Sequence, residues 1–254
     1  MSSTTEPHAG ASRDHYSYSH YANRDVAESF DALRFGGPIG GYLLQCQQAL
    51  LQEALMPVRD RTVLDVGTGT GRAAIGLAEA GARVIGVDAS VEMLRVARAK
   101  AASAGVAMRL GIADAHALPF RDGSADAVVC LRLLMHALDW RMCVGELCRV
   151  ARWRVVVDFP AKASVAAVES GARRMAGALG RRVEAYRVMA EHDVAETFRQ
   201  HGFRIVLVRR QFVLPIAFHK AIGSLGFTRT VERGLTSVGL SRLLGSPVTL
   251  VAER

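Results

Sequence analysis

The sequence predicts a doubly wound, three-layer α/β sandwich, and three observations carry that prediction. Short strand-like runs are apolar along their whole length, helical segments recur between them, and a glycine-rich turn follows the first run. A strand without polar alternation is buried on both faces, so such strands alternating with helices form a mostly parallel sheet covered on both sides. Right-handed crossovers then distribute the helices over the two faces.

Each element follows from local pattern. Residues 1–15 are polar with no apolar stretch, and they read as a flexible tail and not a signal peptide. Residues 16–254 read as one domain in three parts. The first part, 16–57, holds cap helices at 25–33 and 39–55, punctuated by Gly36-Gly37-Pro38. The second, 58–160, carries strands at 62–66, 83–88, 106–112, 126–131 and 153–159. Helices at 72–80, 90–102 and 140–150 lie among them, with Ser90 as an N-cap. The third, 161–254, holds helices at 164–179 and 192–201 and strands at 204–212 and 248–252. An apolar and basic insertion, 213–246, separates those last strands; in it Val231, Leu235 and Val238 recur at helical spacing, which reads first as packing.

Composition bounds what such a chain does. Its 254 residues are 50% hydrophobic, enough for a substantial core without metal or disulfide staples and too apolar for a disordered chain. The mean hydropathy is +0.16, yet no uncharged apolar run reaches the roughly 18 residues of a membrane span. The stretch 203–227 is interrupted by Arg204, Arg209, Arg210 and Lys220. Cys46, Cys130, Cys143 and Cys148 form no C-x-x-C pair, so no metal site is expected and buried free thiols in a reducing cytoplasm are. The net charge of +8 is uneven: residues 201–254 hold eight basic residues against two acids. Within that region Arg229, Arg233 and Arg242 would suit peripheral contact with an anionic inner-membrane face. No nucleic-acid partner is expected, since no recognition motif is present and only 6% of residues are aromatic.

The segment that carries chemistry is Val63-Leu64-Asp65-Val66-Gly67-Thr68-Gly69-Thr70-Gly71-Arg72. Glycines at a strand-to-helix turn let the backbone approach a ligand closely. The spacing is G-x-G-x-G, with Arg72 where a dinucleotide fingerprint has a third small residue. Asp65 stands two residues before the first glycine, where a carboxylate would repel a pyrophosphate and attract a cation. Asp88 ends the next strand, beside the turn, where it can accept hydrogen bonds from ribose hydroxyls. Gly111-Ile112-Ala113-Asp114-Ala115 ends the third strand, positioned to meet an adenine, and Asp122-Gly123-Ser124-Ala125-Asp126 leads into the fourth.

These four elements in this order resemble the class I S-adenosylmethionine-dependent methyltransferases, particularly the small-molecule group that includes quinone and lipid C-methyltransferases. The resemblance covers about 21–159, and 184–202 fits the late helix of that group. It implies a Rossmann-like fold with a mostly parallel seven-stranded sheet and an antiparallel last strand. It also implies S-adenosylmethionine as cofactor and in-line methyl transfer to a small, apolar or aromatic acceptor such as a quinone, lipid or secondary metabolite. By the same resemblance, Gly67, Thr68, Gly69 and Gly71 cradle the methionine moiety, and Asp65 holds its ammonium group or orders the turn. Asp88 binds the ribose, Ala89 and Met93 line the adenine slot, Asp114 and Ala115 meet the adenine edge, and Leu131 adds a backbone contact. Tyr16, Tyr21 and Arg34 fall in the segment that closes over the cofactor in this group. The chain departs from the group at 149–153, where no Pro-Gly-Gly turn precedes the fifth strand.

Several of these residues have plainer readings. Asp65 serves equally as a turn-binding carboxylate, and Met93 as core packing. His136, just past the fourth strand, can accept a proton from an attacking atom or merely shape the pocket. Asp158, at the end of the fifth strand, is a second candidate of that kind or a helix cap. Two other functions fit a related frame: a nicotinamide-dependent oxidoreductase, and a non-catalytic methyltransferase-like module that binds a partner.

Overall fold

One seven-stranded sheet organises the computed structural model, which describes residues 23–164 and 186–254. Its strands are β1 (Thr62–Val66), β2 (Arg83–Asp88), β3 (Arg109–Ile112), β4 (Ala125–Cys130), β5 (Ala151–Phe159), β6 (Arg204–Phe212) and β7 (Ser246–Glu253). They lie in the order β3-β2-β1-β4-β5-β7-β6. The first five run parallel, and β7 slots antiparallel between β5 and β6. The order reverses between β1 and β4, which makes the crevice above their carboxyl ends the ligand position of the fold.

The helices are α1 (Arg24–Phe35), α2 (Gly37–Leu55), α3 (Arg72–Glu79), α4 (Val91–Ser103), α5 (Trp140–Val150), α6 (Glu191–Gln200), α7 (Ile216–Ile222), α8 (Leu225–Ser237) and α9 (Leu240–Leu244). Asn23, Ser90 and Asp139 cap α1, α4 and α5 by accepting hydrogen bonds from first-turn N–H groups. The expected N-cap at Ser90 is therefore present. Helix α5 ends at Val150 and β5 begins at Ala151, so the short connection read from 149–153 is a direct helix-to-strand junction.

Alternate residues of the central strands feed two cores. Leu64, Val66, Val128, Cys130, Val155, Val157 and Leu250 pack against Val144 and Leu147 of α5 and Phe198 of α6. Val63, Ala127, Val129, Val156 and Val251 face the other way, against Leu51 and Leu55 of α2 and Leu77 of α3. A buried Val or Leu side chain contributes about 1.5–3 kcal/mol, so this double-sided burial is what makes the strands apolar throughout.

Three expectations need correction. The third strand starts at Arg109, not 106, and it is half exposed, with Ile112 63% accessible. Edge strands have a neighbour on one side only, and β3 and β6 are both edges. In α8 the buried residues are Thr228 and Glu232; of the expected apolar repeat Val231 and Leu235 are partly buried, while Val238, just past the helix end, is 71% exposed, so polar contacts carry the most buried part of the packing. Cys46 is only partly buried, unlike the other three free cysteines. The tail at 1–15, Tyr16, Tyr21 and nearly all of the helix expected at 164–179 lie outside the described residues. Among the described residues no helix is long and apolar enough to cross a membrane.

Candidate cofactor and acceptor site

The turn after β1 is held by two carboxylates. Gly67, Gly69 and Gly71 adopt φ of 71°, 55° and 81°, conformations that L side chains rarely take. The N–H groups of Gly67 and Thr68 donate to the Val87 carbonyl at the end of β2 (2.8 and 2.9 Å). Gly69 N–H donates to Asp88 Oδ2 (2.8 Å), and Ser90 N–H donates to Asp88 Oδ1 (2.9 Å). Behind the turn, Thr68 Oγ1 donates to Asp65 Oδ2 (2.7 Å). Burial pushes the Asp65 carboxyl up to about 6; the Thr68 hydroxyl opposes this and the neighbouring Asp88 charge adds to it. Burial also raises Asp88, against the backbone N–H donors that favour its charge.

A cavity of about 150 Å³ opens over this turn. Of the residues singled out in the sequence, Gly67, Thr68, Gly69, Asp88, Ala89, Met93, Asp114, Ala115, Leu131 and His136 line it. Asp65 and Gly71 are not among its lining residues. Asp65 orders the turn from beneath, and a Cβ on Gly71 would meet Ala97 Cβ at 3.1 Å, so that glycine lets α4 approach the turn. On Gly67 a Cβ would lie 2.5 Å from Leu133 Cδ1.

Sequence reasoning missed two residues here. His116 is buried, its Nδ1 lies 2.7 Å from Asp114 Oδ1, and its Nε2 accepts the Asp139 N–H (3.2 Å). With Nε2 accepting, Nδ1 carries the proton, so His116 ties Asp114 to the N-cap of α5. Arg72 also lines the cavity, where it had registered only as a misfit to the dinucleotide spacing. Its guanidinium stacks 3.4 Å from the Phe35 ring centroid, and its Nε lies 3.6 Å from Asp31 Oδ1. Nη1 is buried without a hydrogen-bond partner among the described residues. Burial lowers the group to about 9; Arg132 adds to that and Asp158 and Asp65 oppose it. The site is thus of mixed charge, not simply acidic. The readable signal was an arginine opening a helix directly after the last glycine.

A second, larger cavity of about 410 Å³ adjoins the first, and both are lined by Leu131, Arg132 and His136. Its walls come from α1 and α2 (Arg34, Phe35, Leu43), the end of β5 (Asp158, Phe159), the β6–α7 turn (Phe212, Val213, Leu214) and the start of β7. Arg132 takes φ of 60° without being glycine, a conformation costing about 1–3 kcal/mol, and its N–H donates to Asp158 Oδ1. The wall at 213–214 is pinned by Glu232. Its carboxylate accepts the N–H groups of Val213 (2.8 Å) and Leu214 (3.0 Å) and lies 2.8 Å from His219 Nε2. His219 Nδ1 in turn lies 3.1 Å from Thr228 Oγ1.

Residues 63–153 match the methyltransferase domain family. That match, which holds the glycine turn and Asp88, identifies residues 63–153 as a methyltransferase domain of the S-adenosylmethionine-dependent class. The chain is 42% identical over 105 residues to the demethylmenaquinone methyltransferase of Thermus thermophilus, covering 39% of this chain and 48% of that protein. To the enzyme of the same name from Deinococcus radiodurans it is 38% identical over 109 residues, covering 41% and 45%. The chain thus spans less than half the length of these relatives. Its fold resembles magnesium protoporphyrin IX methyltransferase from Synechocystis PCC 6803 with bound S-adenosylmethionine, at TM-score 0.61, 20% identity, and 97% and 100% coverage. A 4+2 cyclase shares the fold at TM-score 0.59 and 19% identity, covering 82% of this chain and 80% of that one. Fold and chemistry are therefore separable here.

Proposed function

We propose that this chain transfers a methyl group from S-adenosylmethionine to a small, apolar or aromatic acceptor. The observation that carries the reading is the pair of adjoining cavities, one over the glycine turn and a larger one walled by apolar and charged side chains, that meet at Leu131, Arg132 and His136. When bound, S-adenosylmethionine supplies a methyl group activated on a sulfonium. The residues of the smaller cavity suit that molecule. The unpartnered Nη1 of Arg72 would take its carboxylate, Asp88 its ribose hydroxyls, and Asp114, braced by His116, its adenine edge. Asp65 would act through the turn. Met93 and Leu131 would exclude water, and His136, at the junction, would orient the acceptor. Arg34 lines the larger cavity and belongs with the acceptor.

The partial similarity to demethylmenaquinone methyltransferases supports a quinone-type acceptor. Exposed Arg233 and Arg242, beside exposed Leu243, support a peripheral contact with an anionic membrane, testable by sedimentation with phosphatidylglycerol vesicles. For the main reading the test is calorimetric titration of S-adenosylmethionine and S-adenosylhomocysteine. Asp88→Ala and Arg72→Ala are each expected to weaken binding by at least about tenfold, the equivalent of 1.4 kcal/mol. Wild-type protein that binds neither compound would overturn the reading.

A further inference from the structure

We infer that Asp158 is the proton acceptor of the reaction and that the acceptor molecule it serves is an apolar ring bearing an acidic hydroxyl. The inference deepens the proposed methyl transfer and rests on it. Asp158 ends β5 at the wall of the larger cavity and is 6% exposed. Its Oδ1 accepts the Arg132 N–H, and no described protein donor takes Oδ2, which leaves that oxygen for the cavity. The left-handed backbone of Arg132 is strained, and strain of this kind concentrates where geometry serves function. Here it aims an N–H at the carboxylate and fixes Asp158 beside the junction of the two cavities.

The surrounding charges select the acceptor. Facing Asp158 are Arg132 from the loop after β4, Arg72 from the start of α3 and Cys130 from β4. His136, Tyr186, Arg34 and Lys220 line the same cavity. Arg132, Arg34 and Lys220, three cationic side chains lining the cavity against one carboxylate, repel an ammonium, which disfavours amine acceptors, and they stabilise an oxygen on which negative charge develops. The remaining wall, including Leu43, Phe159, Phe212 and Ile216, suits a hydrocarbon ring. As the hydroxyl oxygen bonds to the methyl carbon and the carbon–sulfur bond breaks, the hydroxyl proton passes to Asp158 Oδ2. The products are a methyl ether, a neutral thioether and a protonated carboxyl. Burial raises the Asp158 carboxyl above its ordinary range, against the opposing pull of Arg132 and Arg72, and so strengthens it as a base.

The experiment compares the wild type with Asp158→Asn, which keeps an oxygen for the Arg132 N–H, and with His136→Asn. The acceptor probes are 2-naphthol, 1,4-naphthohydroquinone and benzylamine, with tritiated methyl donor. Wild type is expected to methylate the hydroxylated probes and not benzylamine. Asp158→Asn is expected to lower kcat by about a hundredfold or more while leaving S-adenosylhomocysteine affinity within about twofold. The acid limb of the wild-type kcat/KM profile is expected to vanish in Asp158→Asn and persist in His136→Asn. A readout apart from turnover is calorimetric binding of 2-naphthol, expected to weaken in Asp158→Asn while 2-methoxynaphthalene binds both proteins alike. Unchanged kcat in Asp158→Asn, a persisting acid limb, or preference for benzylamine would overturn the inference. Wild type that binds S-adenosylhomocysteine yet methylates none of the probes overturns the acceptor class alone. Failure to bind S-adenosylhomocysteine removes the parent reading with it.

Discussion

Gly69 and Gly71 sit two residues apart in one turn and do different work. Both have positive φ, but a Cβ on Gly69 meets nothing within 4 Å, whereas on Gly71 it meets Ala97 and Met108 at 3.1 and 3.2 Å. Gly71→Ala is therefore expected to destabilise the protein by about 2–3 kcal/mol, through backbone strain plus crowding, and Gly69→Ala by about 1 kcal/mol. Urea midpoints at constant slope would measure both, and equal losses would contradict the distinction. Asp65 makes a second prediction at this scale. Its folded-state pKa of about 6 exceeds the ordinary carboxylate value, so the folded state binds a proton first as pH falls. From this group, stability declines as pH rises between about 4 and about 6, by up to roughly 3 kcal/mol. Asp65→Asn should flatten that part of a stability-against-pH curve; an unchanged curve would mean Asp65 titrates normally.

At the scale of elements, β1, β2 and β6 and helix α5 were legible to the residue, because each is bounded by a turn glycine, a cap or a change of period. The third strand and helix α8 were not. A run of apolar residues reads alike whether a strand is central or at an edge, since edge position depends on distant partners. Helix α8 misled because its inward face carries Glu232, whose partners are two N–H groups and a histidine on the preceding segment. Glu232→Ala strands all three donors in a buried site, and a loss of about 3 kcal/mol or more is expected in thermal unfolding. Glu232→Gln should lose less. In either variant the wall at 213–214 loosens, so acceptor KM should rise more than kcat falls. A loss in kcat alone would separate Glu232 from the acceptor cavity.

For the molecule as a whole, the two cavities should couple ligand binding to stability. Saturation with S-adenosylhomocysteine at about a hundred times its Kd is expected to add about 2.7 kcal/mol, several degrees in Tm for a chain of this size. At the same ligand concentration Asp88→Ala, binding about tenfold more weakly, should cut the shift to about 1.4 kcal/mol or less; a shift of the same size in the variant would move the binding site elsewhere. The excess charge also acquires a place at this scale. Arg210 is paired with Glu191, and Arg209 with Glu53, whereas Arg233 and Arg242 stay exposed.

By itself the sequence determined the alternating strands and helices, the glycine turn and its flanking carboxylates Asp65 and Asp88, because hydrophobic period, caps and turn chemistry are local. Only the tertiary structure decided that Asp65 and Gly71 lie behind the turn while Arg72 lines the cavity in front. It also joined Asp114 to Asp139 through His116, and brought Asp158, Arg34 and Lys220, from three distant segments, around one acceptor cavity. Contacts of that kind depend on how the crossovers and the late helices pack, and burial and the partner of a charged group are set by that packing, not by neighbours along the chain.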